Sequence, residues 1–98
     1  MNDLIQIKQT QINGAEINSV NARKIHEYLE VKTPFSMWIK RAIEKYDFTK
    51  DEDYTINKIV IRNNVQNDYI VTLDMAKELA MLENNPKGKE TSNYFIFS

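Results

Sequence analysis

Hydrophobic positions change period along this chain, and each change marks an element. Leu4-Ile5-Gln6-Ile7-Lys8-Gln9-Thr10-Gln11-Ile12 alternates and is rich in isoleucine, as a half-buried strand requires. Asn13-Gly14 follows, and Ala15-Glu16-Ile17-Asn18-Ser19-Val20 returns. An Asn-Gly pair between two such runs predicts a hairpin, because both central residues of a type I′ turn need positive φ. Asn21 then reads as an N-cap. From Ala22 to Glu30, the residues Ala22, Ile25 and Leu29 share one helical face. Val31-Lys32 reads as a turn, after which Thr33 caps a second helix with Pro34 at its first position.

The second helix has the clearest period. Phe35, Trp38, Ile39, Ala42, Ile43 and Tyr46 recur at steps of three and four and form one wide apolar stripe. Ser36, Met37, Lys40, Arg41, Glu44 and Lys45 occupy the opposite face. Residues 47–53 form a polar turn. Tyr54 to Arg62 reads as a strand, Asn63 to Asp68 as a loop and Tyr69 to Val71 as the returning strand. Thr72 caps a third helix over Leu73 to Glu83, with Asp74 in the first turn, where the positive helix end favours it. Asn84-Asn85-Pro86 stops it, and a turn at Lys87-Gly88-Lys89 leads to a short aromatic tail.

The fold class that follows is α+β in a single domain over 1–98. Its order is an N-terminal β-hairpin, a helix-turn-helix-like pair, a second wing-like β-hairpin, a third helix and a short C-terminal segment. A generic helical hairpin packed on a small sheet fits the same pattern.

Composition narrows the function classes. At this length folding buries roughly 60–65% of the unfolded surface, so every apolar residue matters to the core. Hydrophobic residues make up 42% and charged residues 28%, a globular mixture. The absence of cysteine excludes disulfides and thiolate metal sites and suits a reducing cytoplasm. Apolar runs such as Tyr94-Phe95-Ile96-Phe97 are too short to span a bilayer. The start Met1-Asn2-Asp3 lacks the regions of a signal peptide, so the expected location is the cytoplasm, with no membrane partner. With 13 basic and 14 acidic residues the net charge is −1, so any nucleic-acid binding has to come from a local basic face.

Two surfaces are candidates. Arg23, Lys24, Lys32, Ser36, Lys40, Arg41 and Lys45 make up a face that either contacts phosphates or is simply solvated, since Glu27, Glu30 and Glu44 lie nearby in sequence. Met37, Met81, Leu82, Tyr94, Phe95 and Phe97 make up an apolar set. It either binds a partner or a second copy of the chain, or the tail folds back over the third helix. His26, the one histidine, has no cysteine or second histidine to join it as a ligand and reads as structural. Asp51-Glu52-Asp53 lacks calcium-loop spacing, and Lys87-Gly88-Lys89 lacks the upstream glycine of a phosphate loop. No nucleophile–base pair or paired carboxylates stand out, so no enzyme activity, cofactor or metal is expected. Trp38 reads as the core anchor of the helix pair.

Several ordered blocks resemble a known family. Val20-Asn21-Ala22-Arg23-Lys24-Ile25-His26-Glu27-Tyr28-Leu29-Glu30-Val31-Lys32, Phe35-Ser36-Met37-Trp38-Ile39-Lys40-Arg41, Ile43-Glu44-Lys45-Tyr46 and Asp51-Glu52-Asp53-Tyr54 are similar to the AntA/AntB antirepressor domain of phages and prophages. So is Tyr69-Ile70-Val71-Thr72-Leu73-Asp74-Met75-Ala76-Lys77-Glu78-Leu79-Ala80-Met81, and the resemblance covers residues 20–96. It implies a regulatory protein that relieves repression of lytic genes by acting on a phage repressor through protein contact. The alternative it implies is a DNA-binding regulator using the second helix and hairpin, since related modules are thought to bind DNA. Ala42 stands where the family usually carries a basic residue, and Thr91-Ser92-Asn93 where it tends to be Arg-rich. The family usually reads on beyond Tyr94-Phe95-Ile96, so the expectation is a stand-alone or truncated N-terminal domain.

Overall fold

Two tight turns with left-handed residues organise the sheet. Asn13 (φ 55°) and Gly14 (φ 76°) join β1 (Lys8–Ile12) to β2 (Ala15–Asn21). Both values suit the type I′ turn expected of the Asn-Gly pair. The computed structural model describes residues 5–83 and 86–96, with the backbone alone at 92 and 94–96. The second turn is Arg62 (φ 51°) and Asn63 (φ 67°), between β3 (Tyr54–Ile61) and β4 (Asn64–Thr72).

The loop expected over Asn63 to Asp68 is therefore mostly strand. Asn64 to Asp68 pair in unbroken register with Ile61 back to Asn57. Asn, Gln and Asp are poor strand formers on their own, and pairing with the long β3 overrides that preference. The two hairpins join where Ser19, Val20 and Asn21 of β2 pair with Thr72, Val71 and Ile70 of β4. The result is one curled antiparallel sheet of order β1-β2-β4-β3.

The helices pack on one face of this sheet. α1 (Ala22–Tyr28) starts as expected, with Asn21 Oδ1 accepting from Arg23 N at 2.9 Å. It ends before Glu30, which takes φ 56°. α2 (Phe35–Tyr46) begins one residue later than expected. Pro34, with ψ 143°, is the cap residue, and no side chain caps this end. Its carbonyl accepts from Met37 N (3.1 Å) and Trp38 N (3.0 Å). Thr33, the expected cap, lies one residue further out, and its carbonyl accepts from His26 Nε2 at 2.7 Å. Asp47 in the left-handed region terminates α2.

α3 (Leu73–Met81) has the expected cap, Thr72 Oγ1 accepting from Met75 N at 3.2 Å. It stops short of Glu83 because the last turn tightens, with Leu82 N donating to Leu79 O and Glu83 N to Ala80 O.

The expected turn at 87–89 and short tail are instead a helix, α4 (Pro86–Ile96). Proline is compatible with the first helical position, so Pro86 opens a helix where it reads as a stop. Gly88 is buried where a Cβ would overlap the Glu83 carbonyl and lie 2.7 Å from that of Ala80. Glycine thus lets α4 cross close over the end of α3. Thr91, one turn on, is fully buried, and its hydroxyl donates to Lys87 O at 2.7 Å.

The core sits between this sheet face and the helices. Val20, Val71 and Tyr54 form one row of the sheet, with Tyr69 beside it. Ile25 of α1 with Leu29 at its C-cap, Trp38 and Ile39 of α2, and Met75 and Leu79 of α3 cover them. Full burial of each large apolar side chain contributes roughly 1.5–3 kcal/mol. Phe35 meets Tyr69 edge-on with ring centroids 5.9 Å apart, so α2 is fixed on the sheet through its first turn. Ile43 is only partly buried and Tyr46 is exposed, so the apolar stripe of α2 leaves the core at its last turn.

Candidate partner-binding surface

Of the cations expected on one face, Arg23 is taken up by partners within the fold. Arg23 Nε donates to Asp68 Oδ1 at 3.0 Å and Nη2 donates to the Asn67 carbonyl at 3.0 Å. Its guanidinium also lies 4.4 Å from the centroid of the Phe35 ring. Asn21 Nδ2 donates to the other Asp68 oxygen at 2.9 Å. Arg23 is therefore engaged in tying α1 to β4 and α2. Lys24 lies 3.8 Å from Glu27 in an exposed pair of little energetic consequence. Lys32, Ser36, Lys40, Arg41 and Lys45 are all exposed.

Two shallow grooves divide what remains. One of about 350 Å³ runs between the start of α2 and β4, and brings Ser36 and Lys40 together with Gln66, Asn67 and the half-buried Arg23 stacked on Phe35. Another of about 240 Å³ lies between α2 and the end of α3. It has Trp38, Ala42, Tyr46 and Leu82 as its apolar part and Arg41, Lys45 and Glu83 as its charges. Lys24 and Lys32 line neither groove.

The apolar candidates are also redistributed. Met37 (46% exposed) on α2 and Met81 (58% exposed) on α3 are open to solvent. Leu82 is partly buried against the core and so contributes less surface than expected. Tyr94 and Phe95 lie on α4, where only the backbone is described, and Phe97 lies outside the described residues.

The most exposed apolar residues are ones that sequence reasoning missed. Val60 and Val65, directly opposite each other across the β3–β4 hairpin, are 70% and 67% exposed, and Ile61 beside them is also exposed. Counting back along the same face, the rungs are Val60–Val65, Lys58–Asn67, Ile56–Tyr69 and Tyr54–Val71. The last two reach the core and the first two run past the helices. The signal was the alternation Val65, Asn67, Tyr69, Val71, which an assigned loop hid.

His26 is structural in its contacts. Besides the bond to Thr33, its ring lies edge-on to Phe35 and Trp38, at 5.6 and 5.2 Å. Trp38 Nε1–H donates to Glu83 Oε1 at 3.4 Å, joining α2 to the end of α3. Lys87 Nζ donates to Glu30 Oε1 at 2.7 Å, which holds the Glu30 carboxyl below and the Lys87 ammonium above their ordinary ranges. Burial pushes the Tyr54 phenol up. Among the described residues no group of three or more His, Cys, Asp or Glu is placed to hold a metal, and no helix is long and apolar enough to cross a membrane.

These surfaces are compatible with binding a macromolecule, and comparison with known proteins supplies the class. No curated protein and no solved structure matches the chain. The family model described as AntA/AntB antirepressor matches residues 20–85, from the row where β2 joins β4 to the end of α3. That span holds the helix pair, the second hairpin and the capped third helix, and the family is regulatory rather than catalytic. The chain belongs to the AntA/AntB antirepressor family.

Proposed function

We propose that this protein relieves repression by binding a phage repressor directly, through apolar side chains that its own core leaves uncovered. The observation that carries this reading is the set of apolar side chains left in solvent, beside a basic set that has given up Arg23 to the fold. Arg23 of the basic set is engaged within the fold, whereas Met37, Met81, Val60 and Val65 face solvent. Val60 and Val65 lie opposite each other and make a local apolar contact surface, and a near-neutral chain gains little from a polyanion. The partly buried Leu82 belongs to the same proposed surface, which can equally be covered by a second copy of the chain. The test is a pull-down with the cognate repressor, scored by release of operator DNA. Co-purification with loss of bound operator supports the reading, and no association at micromolar concentration counts against it.

A second reading has its own observation. Ser36 and Lys40 share a groove with Gln66 and Asn67 of β4, and no acidic side chain lines it. Lys24, Lys32, Arg41 and Lys45 add positive charge nearby in sequence. In that reading α2 and the hairpin bind DNA. A gel shift at two salt concentrations tests it, because phosphate contacts weaken steeply with salt. Indifference to the double substitution Lys40→Glu with Arg41→Glu removes this reading.

A further inference from the structure

We infer that the outer edge of β3 is the docking strand for the partner, and that it takes an extended segment carrying acidic residues as an added strand of the sheet. The inference rests on the repressor-contact reading above and names the element that makes the contact.

The backbone parity comes first. β3 is an edge of the sheet, bonded to β4 on one side. At its start the outer side is used, because Tyr54 O accepts from Asp51 N at 2.7 Å, while Asp53 O faces inward and accepts from Thr72 N. In an antiparallel pair the residues alternate between pointing both backbone groups at the partner strand and pointing both away. Ile56, Lys58 and Val60 share the parity of Tyr54, so their N–H and C=O groups point outward. Ile61 and Asn64 flank the two-residue turn, which places them in the bonded set and agrees with this assignment. Among the described residues nothing pairs with the edge beyond Tyr54.

This edge carries few of the usual protections. Natural edge strands are blunted by proline, bulges, short length or charge. β3 runs over eight residues in unbroken register with no proline, and Lys58 is its one charge. The opposite edge, β1, is shorter and reads Lys-Gln-Thr-Gln-Ile. The apolar side chains that a newly added strand would lie beside are present on both faces of β3, with Val60 on one and Ile61 on the other.

Charge selects the occupant. From Asn57 to Asn67 the hairpin carries Lys58 and Arg62 and no Asp or Glu. A second β3 paired antiparallel about its middle would set Lys58 against its own copy. An extended segment with carboxylates flanking aliphatic residues satisfies the backbone groups, Val60 and the charge of Lys58 together.

Amide exchange by NMR on the full chain tests this, alone and with the full-length cognate repressor. Without repressor, the amides of Ile56, Lys58 and Val60 exchange quickly while those of Asn57, Ile59 and Ile61 are protected. With repressor, the first three gain at least about tenfold protection, as new ladder bonds do. Lys58→Pro keeps the inner ladder intact and removes one outward donor. It should bind about tenfold more weakly than Lys58→Ala, which reads the charge alone. Repressor binding with those amides still fast overturns the docking strand and leaves the repressor-contact reading standing. Protection that grows with protein concentration in the absence of repressor makes a second copy the occupant and overturns the inference. Absence of any repressor binding overturns both.

Discussion

Arg23 and Asp68 lie 45 residues apart in the chain and meet at 3.0 Å, and this contact decides how the basic face is understood. Asp68 accepts from both Arg23 and Asn21, the residue that caps α1, so one carboxylate serves the cap and the guanidinium at once. Arg23 in turn lies over Phe35, the first residue of α2. This cluster fixes α1, β4 and α2 relative to one another.

Asp68→Ala should therefore destabilise the domain by about 1–3 kcal/mol, since it strips a charged partner from half-buried donors. Urea unfolding followed by circular dichroism measures it. A midpoint equal to that of the parent protein would mean that the cluster is peripheral.

Trp38 is buried and ties α2 to Glu83. Trp38→Ala should cost about 3–5 kcal/mol, enough to unfold a domain of this size under ordinary conditions. A cooperative melt little changed from the parent would remove Trp38 from the core.

Gly88→Ala places a methyl group against the Ala80 and Glu83 carbonyls, which are backbone and cannot swing away. The expected result is a loss of about 1–3 kcal/mol, with α4 shifted or detached from α3. Thermal melts and the exchange rates of α4 amides read this. An unchanged melt with α4 still protected would show that the two helices can separate slightly without cost.

The pH dependence has a definite sign at each end. The folded Glu30 carboxyl titrates lower than in the unfolded chain because Lys87 bonds it, so its stabilisation is present above the ordinary carboxylate range and lost as pH falls through the folded value. Lys87 and Tyr54 are raised, through the bond to Glu30 and through burial respectively, so theirs is present below the ordinary values of 10.5 and 10.0 and lost as pH rises through the folded ones. Urea midpoints across pH should thus fall at both extremes. Tyr54→Phe should flatten the alkaline fall and Glu30→Gln the acid one. A Glu30→Gln profile that parallels the parent at low pH would mean that this pair adds nothing.

Local chemistry made much of the fold legible. Asn13-Gly14 announces its turn because its residues accept positive φ, and both Asn21 and Thr72 cap the helices they precede. Phe35, Trp38, Ile39 and Ala42 do face inward, as their spacing requires. The misses arise where a distant partner overrides a local preference. Asn64 to Asp68 are polar enough to read as loop, and only pairing with β3 makes them strand. Pro86 and Gly88 read as a stop and a turn, yet one is at home in a first helical turn and the other permits contact with α3. For the surface, Arg23 was legible as a cation while its carboxylate was not. The exposure of Val60 and Val65 depends on where the helices cease to cover the sheet, which no local pattern records.

The most direct measurement is fluorescence anisotropy of labelled operator DNA, first saturated with the cognate repressor and then titrated with this protein. The expected result is a fall to the value of free operator, with no rise when the protein is added to operator alone at low salt. A rise on operator alone that collapses with added salt, while bound repressor stays in place, would contradict repressor contact and assign the helix α2 surface to DNA.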